Sequence, residues 1–475
     1  MAMLTRRDFL ARTCGCLATV VLPTTVLASA NAPRGRRLPN ILVILADDLG
    51  YGELGCQGNP EIPTPNTDSI AKNGIRFTAG YVSGPYCSPT RAGLMTGRYQ
   101  TRFGHEFNDA ASGTRGLSLA EKTIADHLKA LGYATCAVGK WHLGHLDEYK
   151  PMRRGFDEYY GVLGNPGSYS KPRGFIDSRL SPDEQTVSDI EFYTTDAFAE
   201  RAVDWLERHK DGPWFLYLPF NAQHAPLEAT QKYLDRFKGI SDPKRRTFAA
   251  MLSGMDDAIG RVLGKVRDLG QEENTLIWYL SDNGGPTQST TSKNDPLRGF
   301  KATTWEGGVR VPFMVQWKSR LPAGKVYDHP VIQLDILPTC IAAAEGKVDP
   351  AWKLDGVGLL PYLSGKNNAK PHETLYWRFG QQWAIRHGNM KLVVARDGSG
   401  QPELYDLVED IGESKDLATL HPDKVKELQA LWERWNAEQA PRAEEPARKV
   451  KKRKATDVPE RKSRKLEKPA SRLPG

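Results

Sequence analysis

Four short apolar runs, each ending abruptly in polar residues, constrain this chain more than any other feature. "NILVILADDLG" is apolar from Ile41 to Leu45 and ends in Asp47-Asp48. "YATCAVGKWHLG" ends in Lys140-Trp141-His142, "PWFLYLPFNAQHAP" runs into Asn221 and His224, and "NTLIWYLSDNGG" ends in Asp282-Asn283. Unbroken runs of this length read as strands buried on both faces, the habit of parallel sheets covered by helices. Helix-like segments lie among them: "LAEKTIADHLKALG", "TTDAFAERAVDWLERH" and "RRTFAAMLSGMDDAIGRVLGKVRDLG". The alternation predicts an α/β fold with a large central mixed, mostly parallel sheet flanked by helices. Ligands in open sheets of this kind bind beyond the carboxyl ends of the strands. All four runs place ionisable or metal-capable residues there.

After about residue 345 the pattern changes to short strand-like runs separated by turn signals, "ETLYWRFGQQWAIRHGNMKLVVARDGSGQPELYDL", closed by the amphipathic "DKVKELQALWERWNAE". This predicts a smaller C-terminal α+β domain over 346–440, an antiparallel sheet plus a helix, behind a catalytic domain over 31–345. The net charge of +8 is unevenly placed: residues 441–475 carry +8 and residues 1–30 carry +2, which leaves the intervening chain at −2. The folded body therefore lacks the basic surface expected for nucleic acid. The 441–475 tail, rich in Lys, Arg and Pro, reads as a disordered extension. The first thirty residues read as a twin-arginine-type signal peptide: "TRRDFL", an apolar stretch interrupted by Pro23, and the small-residue ending Ala28-Ser29-Ala30. The expected destination is the periplasm or the exterior of a bacterial cell, reached through the twin-arginine export machinery, with no stable membrane anchor.

Adjacent carboxylates at a strand end, Asp47-Asp48, cannot both be buried and charged without a cation. With Asp282 and Asn283 they offer three carboxylates and an amide oxygen, a donor set suited to calcium or magnesium. Alternatively, Asp47 or Asp282 merely caps the following helix. Removal of residues 1–30 would leave Cys56, Cys87, Cys136 and Cys340, with no CxxC pair to suggest zinc or a disulfide scaffold. Cys136 lies in an expected core strand and, with Cys56 and Cys340, reads as apolar filler. Cys87 sits among glycines and prolines in "GPYCSPTRAGLMTGRYQ". A buried thiol, a disulfide half, a metal ligand and a nucleophile are all open for it. Arg102, His105 and Glu106, just beyond, are placed either at a pocket mouth or in a solvated loop.

"CSPTR" (Cys87 to Arg91) and the following "AGLMTGRY" resemble the C-x-P-x-R signature of type I sulfatases, of the alkaline phosphatase superfamily. "NILVILADDLGYGELGCQGNPEIPTPNTDSIAKNGIRFT", "GYATCAVGKWHLG", "SDNGG", "LRGFKATTWEGGVRVPFMVQW" and "PELYDLVEDIGESKDLA" are similar to further blocks of that family, in its order. The resemblance implies that Cys87 is oxidised by a formylglycine-generating maturation enzyme, and that the formylglycine hydrate is the nucleophile on a sulfate monoester. A geminal diol attacks through one hydroxyl, and deprotonation of the other ejects sulfate. By matched motif position, Asp47, Asp48, Asp282, Asn283 and residue 87 would hold one Ca2+ (or Mg2+). Arg91 and Lys140 would position the hydrate. His142 would take the proton that triggers sulfate elimination. His224 and Lys301 would bind the sulfate, with His224 the acid for the leaving alcohol. The implied substrate is an aryl sulfate or a sulfated carbohydrate. Phe300 stands where the family usually has glycine and would narrow the pocket. Two other readings compete: a phosphomonoester or phosphonate hydrolase of the same superfamily, and a non-catalytic binder of sulfated glycans in which Cys87 stays unconverted.

Overall fold

A computed structural model describes residues 37–180, 186–187, 192–395 and 400–443; the expected signal peptide and nearly all of the basic tail lie outside these residues. Its strands are β1 (Asn40–Ala46), β2 (Ile75–Phe77), β3 (Gly80–Tyr81), β4 (Ala134–Lys140), β5 (Glu158–Val162), β6 (Phe175–Asp177), β7 (Thr186–Val187), β8 (Trp214–Pro219), β9 (Thr275–Ser281), β10 (Phe313–Gln316), β11 (Lys325–Tyr327), β12 (Val331–Ile332), β13 (Thr374–Phe379), β14 (Gln382–His387), β15 (Met390–Val394) and β16 (Glu403–Asp406). The main sheet runs β11-β2-β10-β9-β1-β8-β4-β5-β6-β7. Its centre, β9-β1-β8-β4-β5, is parallel throughout, and antiparallel β10 and β6 flank it.

The apolar runs are continuous because both faces of these strands are covered. Ile41, Val43 and Leu45 enter one core with Phe215, Tyr217, Trp278 and Leu280. Leu42 and Ile44 enter the other with Leu216, Leu218, Ile277 and Tyr279. The alternation is the period of two that a pleated strand imposes. The second face is covered by the helices Thr194–Arg208 and Pro243–Asp268. The latter starts where local chemistry favours it, with Pro243 in its first turn and the Asp242 side chain accepting from Lys244 N at 3.0 Å.

The C-terminal strands β13 to β16 form a four-stranded antiparallel sheet in chain order, followed by the helix Pro422–Ala437. Trp377, Leu404, Leu428 and Trp432 share a core with Tyr81, Tyr99 and Val309. Trp377 Nε1 donates to Val82 O at 2.7 Å, a few residues before Cys87.

Candidate active site

The site forms where β1, β4, β8 and β9 end. Asp47 and Asp48 follow β1, Lys140 closes β4 with His142 two residues on, His224 follows β8, and Asp282 and Asn283 follow β9. The strand ends converge tightly because β4 lies close against β8. A Cβ on Gly139, whose φ is +134°, would fall 1.9 Å from Pro219 O. Cys87 opens the helix Cys87–Thr96 after an extended Tyr86, and Arg91 lies one turn into it. The N-terminus of this helix adds a positive dipole end to the site.

Every residue singled out for chemistry is brought to this place. Ligand atoms of Asp47, Asp48, Cys87 and Asp282 all lie within 4.8 Å of one another. Arg91 donates from Nε and Nη2 to Asp282 Oδ2 at 3.0 and 2.8 Å, and from Nη1 to Lys140 O at 2.8 Å. Lys140 Nζ meets Asp47 Oδ2 at 2.5 Å. Lys301 Nζ meets Asp48 Oδ1 at 2.5 Å and lies 3.1 Å from Cys87 Sγ. His224 Nε2 is 3.8 Å from Asp48 Oδ2, while its Nδ1 faces Ala225 O at 2.6 Å. A carbonyl only accepts, so Nδ1 carries the proton and Nε2 is the nitrogen presented to the site.

Buried Arg91 and Lys140 and largely buried Lys301 face three buried carboxylates, and the proton affinities record the crowding. Burial and Asp47 push Asp282 up to about 7, even with Arg91 beside it. Burial also acts on Asp47, but Lys140, His224 and Arg91 outweigh it and hold that carboxyl well below its ordinary value. Burial, reinforced by Lys140 and Arg91, holds His142 well down, so its imidazole is neutral. Burial and Lys140 likewise lower His224. The thiol of Cys87 is pushed up by burial despite Lys301, so as a plain cysteine it stays protonated and is a weak nucleophile.

The donors fit a hard cation. The buried Oδ1 of Asn283 has no hydrogen-bond partner, while its Nδ2 donates to Asp48 Oδ1 at 2.8 Å. An orphaned amide oxygen beside three clustered carboxylates is the pattern expected of an oxygen-ligand site for calcium or magnesium.

Two loops need correction or addition. Arg102, His105 and Glu106 form neither a pocket mouth nor a solvated loop. Arg102 forks onto Asp355, and fully buried Glu106 pairs with Arg378 of β13 at 3.2 Å. His105, also buried, reaches Ser88 Oγ from Nε2 at 2.6 Å. Ser88 Oγ in turn donates to His142 O at 2.7 Å. His142 has the left-handed φ of +59°. This support for His142 is invisible in the sequence, because Ser88 reads there only as a filler position of the cysteine motif. Lys301 belongs to no strand, and its loop is clamped from the C-terminal sheet. Gln382 Nε2 donates to Ala302 O at 3.0 Å, Arg298 Nη1 donates to Tyr405 OH at 2.8 Å, and Lys391 bridges Glu306 and Glu413, both at 2.9 Å. Cys136 and Cys340 are buried and unpaired, as expected of filler, and Cys56 is partly buried.

Comparison with known proteins agrees with this geometry. The family model described as "Sulfatase" matches residues 39–346, and that for the N-sulphoglucosamine sulphohydrolase C-terminal region matches residues 300–440. The chain is 32% identical over 461 residues to arylsulfatase G of Rattus norvegicus, covering 84% of this chain and 85% of that protein. It is 33% identical over 403 residues to N-acetylgalactosamine-6-sulfatase of Sus scrofa, covering 78% and 74% respectively. The crystal structure of Ps i-CgsB in complex with k-i-k-neocarrahexaose superposes with a TM-score of 0.77 at 34% identity, covering 85% of this chain and 94% of that one. On these matches the chain belongs to the sulfatase family and is a sulfuric ester hydrolase.

Proposed function

We propose that this sulfatase cleaves sulfate monoesters of carbohydrates outside the cytoplasm, with Cys87 converted to formylglycine and one divalent cation, calcium or alternatively magnesium, in the carboxylate cluster. The observation that carries the proposal is the orphaned Asn283 Oδ1 beside Asp47, Asp48 and Asp282, all within reach of Cys87. Export is supported by the "TRRDFL" leader, and no helix among the described residues is long and apolar enough to cross a membrane. A carbohydrate substrate is supported by the relatives: one is an N-acetylgalactosamine-6-sulfatase, and another was crystallised with a neocarrahexaose.

Asp47, Asp48, Asp282 and Asn283 would hold the cation, which when bound supplies Lewis acidity toward a sulfate oxygen. Converted residue 87 supplies a hydrated aldehyde, one hydroxyl to attack sulfur and a second to release sulfate. The remaining chemistry belongs to side chains already in place. Arg91, locked by Asp282 and the Lys140 carbonyl, orients the first turn of the helix that carries residue 87. Lys301, 3.1 Å from that residue's Sγ, places its ammonium where a sulfate oxygen gains charge. Neutral His142 accepts the proton of the second hydroxyl. His224 presents Nε2 and donates to the departing alcohol; bound sulfate favours its protonated form, against the burial that lowers it.

The test combines two measurements on natively produced protein. Mass spectrometry of the peptide spanning Cys87 should show a loss of about 18 Da relative to cysteine, a covalent change of the chain itself. The same preparation should release sulfate from sulfated mono- and oligosaccharides. An unmodified cysteine in active protein would refute the nucleophile, and faster cleavage of nitrophenyl phosphate than of nitrophenyl sulfate would refute the substrate class.

A further inference from the structure

Two cavities flank the reaction centre, and their charges differ. One, of about 330 Å3, is lined by Asp48, Tyr86, His224, Phe300 and Lys301 among others. Its two charges cancel, because Lys301 is committed to Asp48 at 2.5 Å. The other walls of this cavity that matter here are the faces of Tyr86 and Phe300, which suit the apolar face of a ring. The second cavity, of about 390 Å3, lies beyond His142 and is lined also by His145, Lys150, Asn165 and Arg173, with no carboxylate among its described lining residues. Asn165 of the second cavity approaches His224 of the first, its Nδ2 3.3 Å from His224 Nδ1.

The cations of the second cavity are at most weakly committed. The Arg173 side chain is exposed and has no hydrogen-bond or ion-pair partner among the described residues. Lys150 meets only Asp147, at 3.5 Å, and that carboxylate is 64% exposed. A surface pair of this kind contributes little and leaves the ammonium free to turn. An unpaired guanidinium and an ammonium only loosely held by an exposed carboxylate, next to a site that already holds one substrate anion, create a local field that favours another anion.

Resting on the sulfatase reading above, we propose that the cavity beyond His142 is a subsite for a second anionic group of the substrate, a sulfate ester or a carboxylate, bound by Arg173 and Lys150. The enzyme accordingly prefers substrates that carry two anions to those that carry one.

The experiment uses matured enzyme and three disaccharides matched in backbone: one sulfate, two sulfates, and one sulfate with a neighbouring uronate. The readout is the ratio of kcat/KM on each two-anion substrate to that on the single-anion one. Wild-type enzyme should favour at least one two-anion form by about tenfold to hundredfold, the range of a charge-assisted contact. Which of the two forms is favoured identifies the second group. Arg173→Ala should collapse that ratio toward one, Lys150→Met should reduce it severalfold, and Arg173→Lys should restore part of it. The wild-type preference should also weaken as salt is raised. Wild-type enzyme that cleaves nitrophenyl sulfate yet shows no preference overturns the subsite and leaves the sulfatase reading intact. So does an Arg173→Ala enzyme that loses activity equally on all three substrates. Matured enzyme that releases no sulfate from any ester removes the sulfatase reading and the subsite together.

Discussion

Replacing Ser88 with alanine should cripple turnover while leaving substrate binding largely alone. The Ser88 hydroxyl is a relay: it accepts from His105 Nε2 at 2.6 Å and donates to His142 O at 2.7 Å. Ser88 and His105 are buried beneath the site, and burial takes His105 down to about 3, so its ring is neutral at working pH. Ser88→Ala leaves a buried imidazole N–H and a backbone carbonyl unsatisfied, each costing about 1–3 kcal/mol. Partial relaxation brings the expected loss to about 2–4 kcal/mol. For about 400 described residues the unfolding entropy is near 0.8 kcal/mol per kelvin, so Tm should fall by about 2–5 °C. The functional cost is larger in proportion. His142 has φ +59°, a left-handed conformation that costs a non-glycine residue on the order of 1 kcal/mol and is held by its N–H bond to Leu163 O and by Ser88 at its carbonyl. Released, the ring should shift by a fraction of an ångström to an ångström, enough to lower kcat by about tenfold to hundredfold. KM should change by less than about threefold, because Lys301 and His224 are untouched. The assay is steady-state kinetics on nitrophenyl sulfate, with intact mass confirming that residue 87 is converted to the same extent as in wild type. Fully converted Ser88→Ala enzyme with a kcat within about twofold of wild type would refute the relay.

Stripping divalent cations with a chelator should abolish activity and lower Tm by about 3 °C, since a cation at a hundred times its Kd stabilises the fold by about 2.7 kcal/mol; scanning calorimetry with calcium added back should restore both. His372 lies 2.8 Å from Asp335 and, although burial works against its charge, that carboxylate raises its pKa above the ordinary value. Its contribution to stability is therefore complete below the unfolded value and is lost as pH rises through the raised folded value; His372→Phe should flatten that decline in Tm above neutrality. Lys391, fully buried between Glu306 and Glu413, should on replacement by methionine cost about 3–5 kcal/mol, read by chemical denaturation, because two carboxylates are left facing each other.

How far a sequence discloses a site depends on how local the contacts are. The ends of β1, β4, β8 and β9 were legible because a strand buried on both faces must stop where its apolar run stops, and the residue after the stop must face the sheet edge. The convergence of Asp47, Asp48, Asp282 and Asn283 was legible for the same reason. Glu106 was not, since its partner Arg378 lies on β13 of the C-terminal sheet, far away in sequence. No local pattern distinguishes a carboxylate that will be buried against such a partner from one that will be solvated. Nor does any local rule show that Ser88 bridges a buried histidine and a strained carbonyl, since both partners come from other loops. Arg173 was hidden differently. It lies in a stretch of glycines, prolines and serines with no period, and only the folded loop brings it to the wall of a cavity shared with His142.

The clamp that Gln382, Tyr405 and Lys391 place on the Lys301 loop has a consequence for the order of events during synthesis. Cys87 is completely buried in the finished fold, so any enzyme that alters it must meet it while the chain is still open. The loop that closes over it is fastened by residues reaching as far as Glu413, which leave the ribosome more than 300 residues after Cys87. At a synthesis rate of about 5–20 residues per second this is an interval of roughly 15–60 s. The C-terminal sheet thus acts as a clock as well as a buttress. Because its clamping residues are made so late, it leaves the cysteine stretch without that cover for most of translation, and then shuts it.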